Sequence, residues 1–90
     1  MLRLTHYRKN SFDLTKDDGG RIISAVYSGR EVKLGQKVLS NGRIFVPAGT
    51  IGIVVKINEP GNGLTSNIFE VWFEGERNTS LMKTKDLKFG

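Results

Sequence analysis

Val46-Pro47-Ala48-Gly49-Thr50-Ile51-Gly52-Ile53-Val54-Val55-Lys56-Ile57 is a turn that opens into the most regular strand of the chain. From Ile51 the apolar residues fall at every second position, Ile51, Ile53, Val55 and Ile57, while Thr50, Gly52, Val54 and Lys56 take the other face. A period of two is the pattern of a half-buried strand, and it predicts that the isoleucine set points into the core. Pro47 fixes its own φ and Gly49 permits a positive one, so residues 46–50 make the turn.

The segments on either side carry the same signal. Upstream, Val32 and Leu34 alternate with charged residues up to Gly35, and Lys37-Val38-Leu39 continues extended. Asn41-Gly42 then predicts a hairpin that folds Arg43-Ile44-Phe45-Val46 back, because both residues tolerate positive φ. Downstream, the breaker-rich loop Asn58–Ser66 leads into Asn67–Phe73, where Phe69, Val71 and Phe73 oppose Ile68, Glu70, Trp72 and Glu74. A tight turn at Gly75 precedes Leu81-Met82, and a single 3₁₀ turn is expected near Thr84–Asp86. Further back, Arg21–Tyr27 reads as a strand ending at Ser28-Gly29, and Lys16-Asp17-Asp18-Gly19-Gly20 is a turn. Leu2, Leu4 and His6 alternate, which allows either a short edge strand or a mobile arm.

No window holds a long helical stripe, so the expected class is all-β. Short alternating strands in a chain of this size bury one face each by closing on themselves. The expected organisation is an N-terminal extension over residues 1–31, contributing one or two strands, followed by a five-stranded barrel over residues 32–90. The expected core is Ile51, Ile53, Val55, Ile57, Phe69, Val71, Phe73, Leu81, Leu87 and Phe89, with Val38 and Ile44 beside it.

Ninety residues bury only about 60–65% of the surface the unfolded chain exposes, enough for one small core. Cysteine is absent, which excludes disulfides and thiolate metal sites. There is no apolar run of signal-peptide length and no stretch of about 18 apolar residues, so the expectation is a cytoplasmic protein without membrane contact. The net charge of +5 is segregated: residues 1–45 carry nine Lys and Arg against four acids, and residues 46–90 carry five of each. Such asymmetry favours a polyanionic partner.

From Val32 to Phe89, the order of parts resembles the SH3-like small-barrel families. The likeness lies in the strand at Val32–Leu39, the excursion after it, Gly49–Ile57, a variable loop, Phe69–Phe73, the hairpin at Gly75 and the turn before Leu87. Within that group, Gly49-Thr50-Ile51-Gly52-Ile53-Val54 is similar to the KOW-type barrels of ribosomal and transcription-elongation proteins. It is similar also to the small barrel chains of photosynthetic electron-transfer complexes, such as that of photosystem I and the variable chain of ferredoxin–thioredoxin reductase. The acidic, aromatic-rich loop with which signalling SH3 domains hold polyproline is missing, and Tyr27 and Trp72 lie on separate strands. The resemblance implies a non-enzymatic binding module.

Two surfaces are candidates. Arg3, Arg8, Lys9, Arg21, Arg30, Lys33, Lys37 and Arg43, with Tyr7, Phe12 and Tyr27 among them, combine cations for phosphate with aromatics for bases, as a nucleic-acid binder requires. The expected partner is nucleic acid or a nucleic-acid-bound machine such as a ribosome or polymerase. The alternative is an accessory subunit of a larger protein complex, docking through Trp72, Glu70 and Glu74 and through Asn62 and Leu64 of the 58–66 loop. Catalysis is not expected. His6 is the only histidine, and Glu70 and Glu74 stand roughly 13 Å apart along one strand, too far for a retaining glycosidase pair. Gly61-Asn62-Gly63 lacks the Lys-Ser/Thr and helix start of a phosphate loop, and Asn78-Thr79-Ser80 is only a formal glycosylation sequon. No metal, cofactor or small-molecule substrate is expected.

Overall fold

Two-residue reversals shape the first part of the chain. At Asn10-Ser11 (φ 50° and 70°) and at Ser28-Gly29 (φ 50° and 79°) both turn residues adopt positive φ, the geometry whose twist matches antiparallel strands. In this computed structural model, which describes residues 3–42, 45–61 and 68–89, those turns join β1 (Thr5–Lys9) to β2 (Phe12–Lys16) and β3 (Ile22–Tyr27) to β4 (Arg30–Lys33). The result is an antiparallel meander in the order β1-β2-β3-β4. The chain is all-β, as expected, and none of its described helical residues forms a helix long and apolar enough to cross a membrane.

The β2–β3 turn is held by Asp17, whose carboxylate accepts the backbone N–H groups of Gly19 at 3.0 Å and Arg21 at 2.9 Å. The Arg21 N–H is the main cause that holds the Asp17 pKa below its ordinary value of 3.8. A depressed folded-state pKa means that the stabilisation is complete above the unfolded value and is lost as pH falls through the folded one. Asp17→Asn is therefore expected to lower stability at neutral pH, with the gap to wild type closing as pH drops below 3.8. Urea unfolding across that range checks this.

Gly35 (φ 85°) turns the chain out of the meander. Its N–H donates to the Val54 carbonyl at 2.7 Å, and the Val54 N–H donates to the Gln36 carbonyl at 3.0 Å, which joins the meander to a second sheet. That sheet contains β5 (Lys37–Ser40), β6 (Ile51–Ile57), β7 (Phe69–Phe73), β8 (Ser80–Met82) and β9 (Leu87–Lys88), ordered β8-β7-β6-β5-β9. The 3₁₀ turn stands at Thr84–Asp86, and Gly75 (φ 88°) makes the β7–β8 reversal.

The Asn41-Gly42 expectation is corrected. Strand β5 pairs with Ile51–Ile53 and with β9 rather than with a strand at 43–46; Phe45 and Val46 lie in bends, and Arg43 and Ile44 fall outside the described residues. Both edges of β5 are thus taken, and Ser40 bonds to residues beyond the strand. Its fully buried hydroxyl donates to the Val46 carbonyl at 3.0 Å and accepts the Gly42 N–H at 3.2 Å. Removing that hydroxyl would leave the carbonyl unpaired at a cost of about 1–3 kcal/mol.

One apolar cluster lies between the sheets. Phe12, Leu14, Ala25 and Val32 enter from the meander, and Val38, Val54, Ile57, Phe69, Val71, Phe73, Met82 and Leu87 from the second sheet. The Phe12 ring meets Phe69 edge-on at 6.4 Å and Tyr27 at 4.9 Å. The face of β6 is the second correction. Ile51, Val55 and Leu81 are exposed and Ile53 is half-buried, while Gly52 and Val54 point inward. Pairing decides it: Gly52 stands opposite Phe73 and Val54 opposite Val71, and a bulge between Val54 and Lys56 then returns Ile57 to the core opposite Phe69. An extra residue in one strand shifts the inward face by one position.

Candidate functional site

The sequence-predicted cations are dispersed rather than gathered, and several are neutralised. Arg8 faces Asp13 at 3.7 Å, Lys9 faces Glu59 at 3.8 Å, Arg21 faces Asp17 at 3.5 Å and Lys33 faces Glu31 at 3.8 Å. Exposed pairs of this kind add little stability, but each lowers the local positive potential. Arg3 and Lys37 are exposed, and Arg43 lies outside the described residues. Phe12 is wholly buried and offers no ring to a base. Tyr7 packs on the core edge and donates its hydroxyl to Glu59 at 3.3 Å; burial first, then the Glu59 charge, pushes its pKa up.

Arg30 differs from these. It opens β4 directly after the Ser28-Gly29 turn, and its guanidinium lies over the Phe89 ring, 4.7 Å from the centroid. The 3₁₀ turn brings Lys85 and Lys88 to the same place. That turn is fixed from several sides: the Asp86 carboxylate accepts the Lys83 N–H at 3.2 Å, the Asn41 N–H donates to the Asp86 carbonyl at 3.3 Å, and the Asn41 amide donates to the Lys85 carbonyl. Two adjoining depressions result. One, of about 420 Å³, is lined by Arg30, Lys85, Leu87, Lys88 and Phe89. The other, of about 190 Å³, is lined by Tyr27, Ser28, Arg30 and Lys85.

Among the described residues no carboxylate lines either depression, and none of these three cations takes part in an ion pair. The cleft thus presents uncompensated positive charge beside two aromatic rings. A planar guanidinium already stacked on Phe89 suits bidentate contact with phosphate oxygens. Of the expected set it contains Arg30 and Tyr27. Lys85, Lys88 and Phe89 were missed, because residues 46–90 balance in charge when merely counted. The usable signal was local: the only acid between Lys83 and Lys88 is Asp86, whose carboxylate reaches back to accept the Lys83 backbone N–H, as in a capping box.

The other candidate surface is apolar. Trp72 points outward from β7 opposite Ile53, is 40% exposed, and donates its indole N–H to the Glu76 carbonyl at 2.9 Å. Glu70 shares this face opposite Lys56 and Leu81. Glu74 follows opposite Ile51, whose carbonyl accepts its N–H at 2.9 Å. Asn62 and Leu64 lie outside the described residues. The meander's own outer face is a shallow polar groove of about 560 Å³ with both signs of charge, where His6 Nδ1 meets Thr15 Oγ1 at 3.0 Å and Ser24 donates to Glu31 at 3.0 Å. Among the described residues no three His, Cys, Asp or Glu side chains are grouped to hold a metal.

Comparison with protein-family models, with curated proteins and with solved structures finds no match.

Proposed function

We propose that this protein is a non-enzymatic cytoplasmic module that binds single-stranded nucleic acid, alone or within a ribosome- or polymerase-like assembly. Strands β5–β9, with the 3₁₀ turn before β9, support the likeness to SH3-like barrels of the KOW type. The observation that carries the functional reading is the cleft itself: Arg30, Lys85 and Lys88 converge with no acid among the described residues that line it, and Arg30 is stacked on Phe89. Phosphate oxygens sit between Arg30 and Lys85, and an unstacked base lies against the Tyr27 and Phe89 edges of the cleft. Single strands suit it because their bases are free to splay toward an aromatic wall.

Fluorescence anisotropy with a labelled oligo-uridine and an oligo-thymidine tests this. Each phosphate neutralised on a single strand contributes about −0.7 to the slope of log K against log salt, so three cations give roughly −2. Arg30→Glu with Lys85→Glu is expected to weaken binding at least tenfold and to make the slope shallower by more than one unit of phosphate contact. Arg8→Glu, which breaks an ion pair at the opposite edge of the meander from Arg30, is expected to change affinity much less. Equal losses for the two variants, or salt-independent binding, would overturn the proposal.

A further inference from the structure

The outer face of the second sheet carries a pattern in strand order. On β6, at the centre, stand Ile51, Ile53 and Val55, with exposures of 39% and 46% for the first and last. On one flank β7 presents Trp72, with Glu70 and Glu74 before and after it, and β8 adds Leu81, 55% exposed. On the other flank β5 presents Lys37 opposite Ile53 and the half-buried Leu39 opposite Ile51. Lys37, Ile53 and Trp72 therefore form one row across three strands. The face reads cation, apolar ridge ending in the exposed Lys56, aromatic between two acids.

We infer that this face is an isologous dimer interface, occupied by a second copy of the same chain. A two-fold axis along β6 superposes the ridge on itself and exchanges the flanks. Lys37 of each copy then meets the partner's Trp72 ring between the partner's Glu70 and Glu74 carboxylates, and Leu39 covers the rest of the indole. Each attraction occurs twice, as closed two-fold symmetry demands; Lys56, at the far end of β6, approaches its own copy, a repulsion offset by the Glu70 opposite it on β7. A lysine over an indole face is the favourable cation–π arrangement, and two sheets stacking face to face align their strands within about 30°. The alternative axis, across the strands, sets acid flank on acid flank and is disfavoured. Five strands of two to seven residues cover less than roughly 24 by 17 Å, below the ~800 Å² per partner of a standard interface. The dimer is accordingly concentration-dependent.

Sedimentation equilibrium of the full chain over a wide concentration range tests the inference. The expected result is a mass rising from 10.0 kDa toward twice that value. Ile51→Lys and Ile51→Glu, both at an exposed position where folding is undisturbed, are each expected to remain monomeric. Mixing the two is expected to restore the dimer, because the axis along β6 sets position 51 close to its own copy. Circular dichroism of both variants confirms that the fold is kept. A wild type that stays monomeric throughout, a dimer indifferent to both substitutions, or variants that fail to complement would each overturn the inference. Capture of a different protein by a monomeric wild type would do the same.

Discussion

Phe12→Ala is expected to destabilise the whole chain by about 3–5 kcal/mol, the usual cost of emptying a buried phenylalanine site. Phe12 is 2% exposed, and its ring is the contact by which the meander reaches Phe69 in the second sheet while resting on Tyr27. Small domains hold a total of only about 5–15 kcal/mol, so the loss removes a large share. The informative part is where it is felt. Trp72 belongs to the other sheet and faces outward, so its fluorescence reports the unfolding of β5–β9. Because the apolar cluster is continuous across both sheets, the urea midpoint seen by Trp72 and that seen by circular dichroism should fall together. Separate midpoints, with Trp72 unmoved, would mean that the meander melts alone and that the two sheets are independently stable.

How much of this was legible depends on which interactions were local. The turns at Lys16–Gly20, Ser28-Gly29 and Gly75, the 3₁₀ turn at Thr84–Asp86 and the strands Phe69–Phe73 and Ile22–Tyr27 announce themselves through glycine, Asx chemistry or alternation within a few residues. Asn10-Ser11 does not, since neither residue is glycine, although both take positive φ. Asn41-Gly42 misled although Gly42 does take a positive φ of 83°, because β5 is paired on both sides, by β6 and by β9, which leaves it no free edge for the predicted partner. The cationic cleft was only half legible for a similar reason. Arg30 and Tyr27 stand out in the basic first half, but Lys85, Lys88 and Phe89 come from a segment of balanced charge that the β5–β9 pairing carries to them. Conversely, Arg8, Lys9, Arg21 and Lys33 count as cations in the sequence yet meet carboxylates in space.

The β6 face shows the same limit at its sharpest, and it yields the second large effect. Both faces of Ile51–Ile57 contain apolar residues, so alternation alone leaves the inward side open; Phe69, Val71 and Phe73 settle it by pairing. A Cβ at Gly52 would stand 2.7 Å from Val71 Cγ1 and 2.8 and 2.9 Å from two carbons of the Phe73 ring. Both neighbours are fully buried, and the Gly52 backbone is not in the positive-φ region. The glycine is therefore required for space. Gly52→Ala is expected to cost about 1–3 kcal/mol through overpacking, and Gly52→Val more, measured by urea unfolding. The opposite facing reverses the sign, because alanine for glycine on a solvent-exposed strand would gain about 0.5–1 kcal/mol from reduced backbone entropy. Combining Gly52→Ala with Val71→Ala removes one of the clashing atoms, so the double variant should be less destabilised than the sum of its parts. Strict additivity would place position 52 away from Val71 and restore the isoleucines to the core.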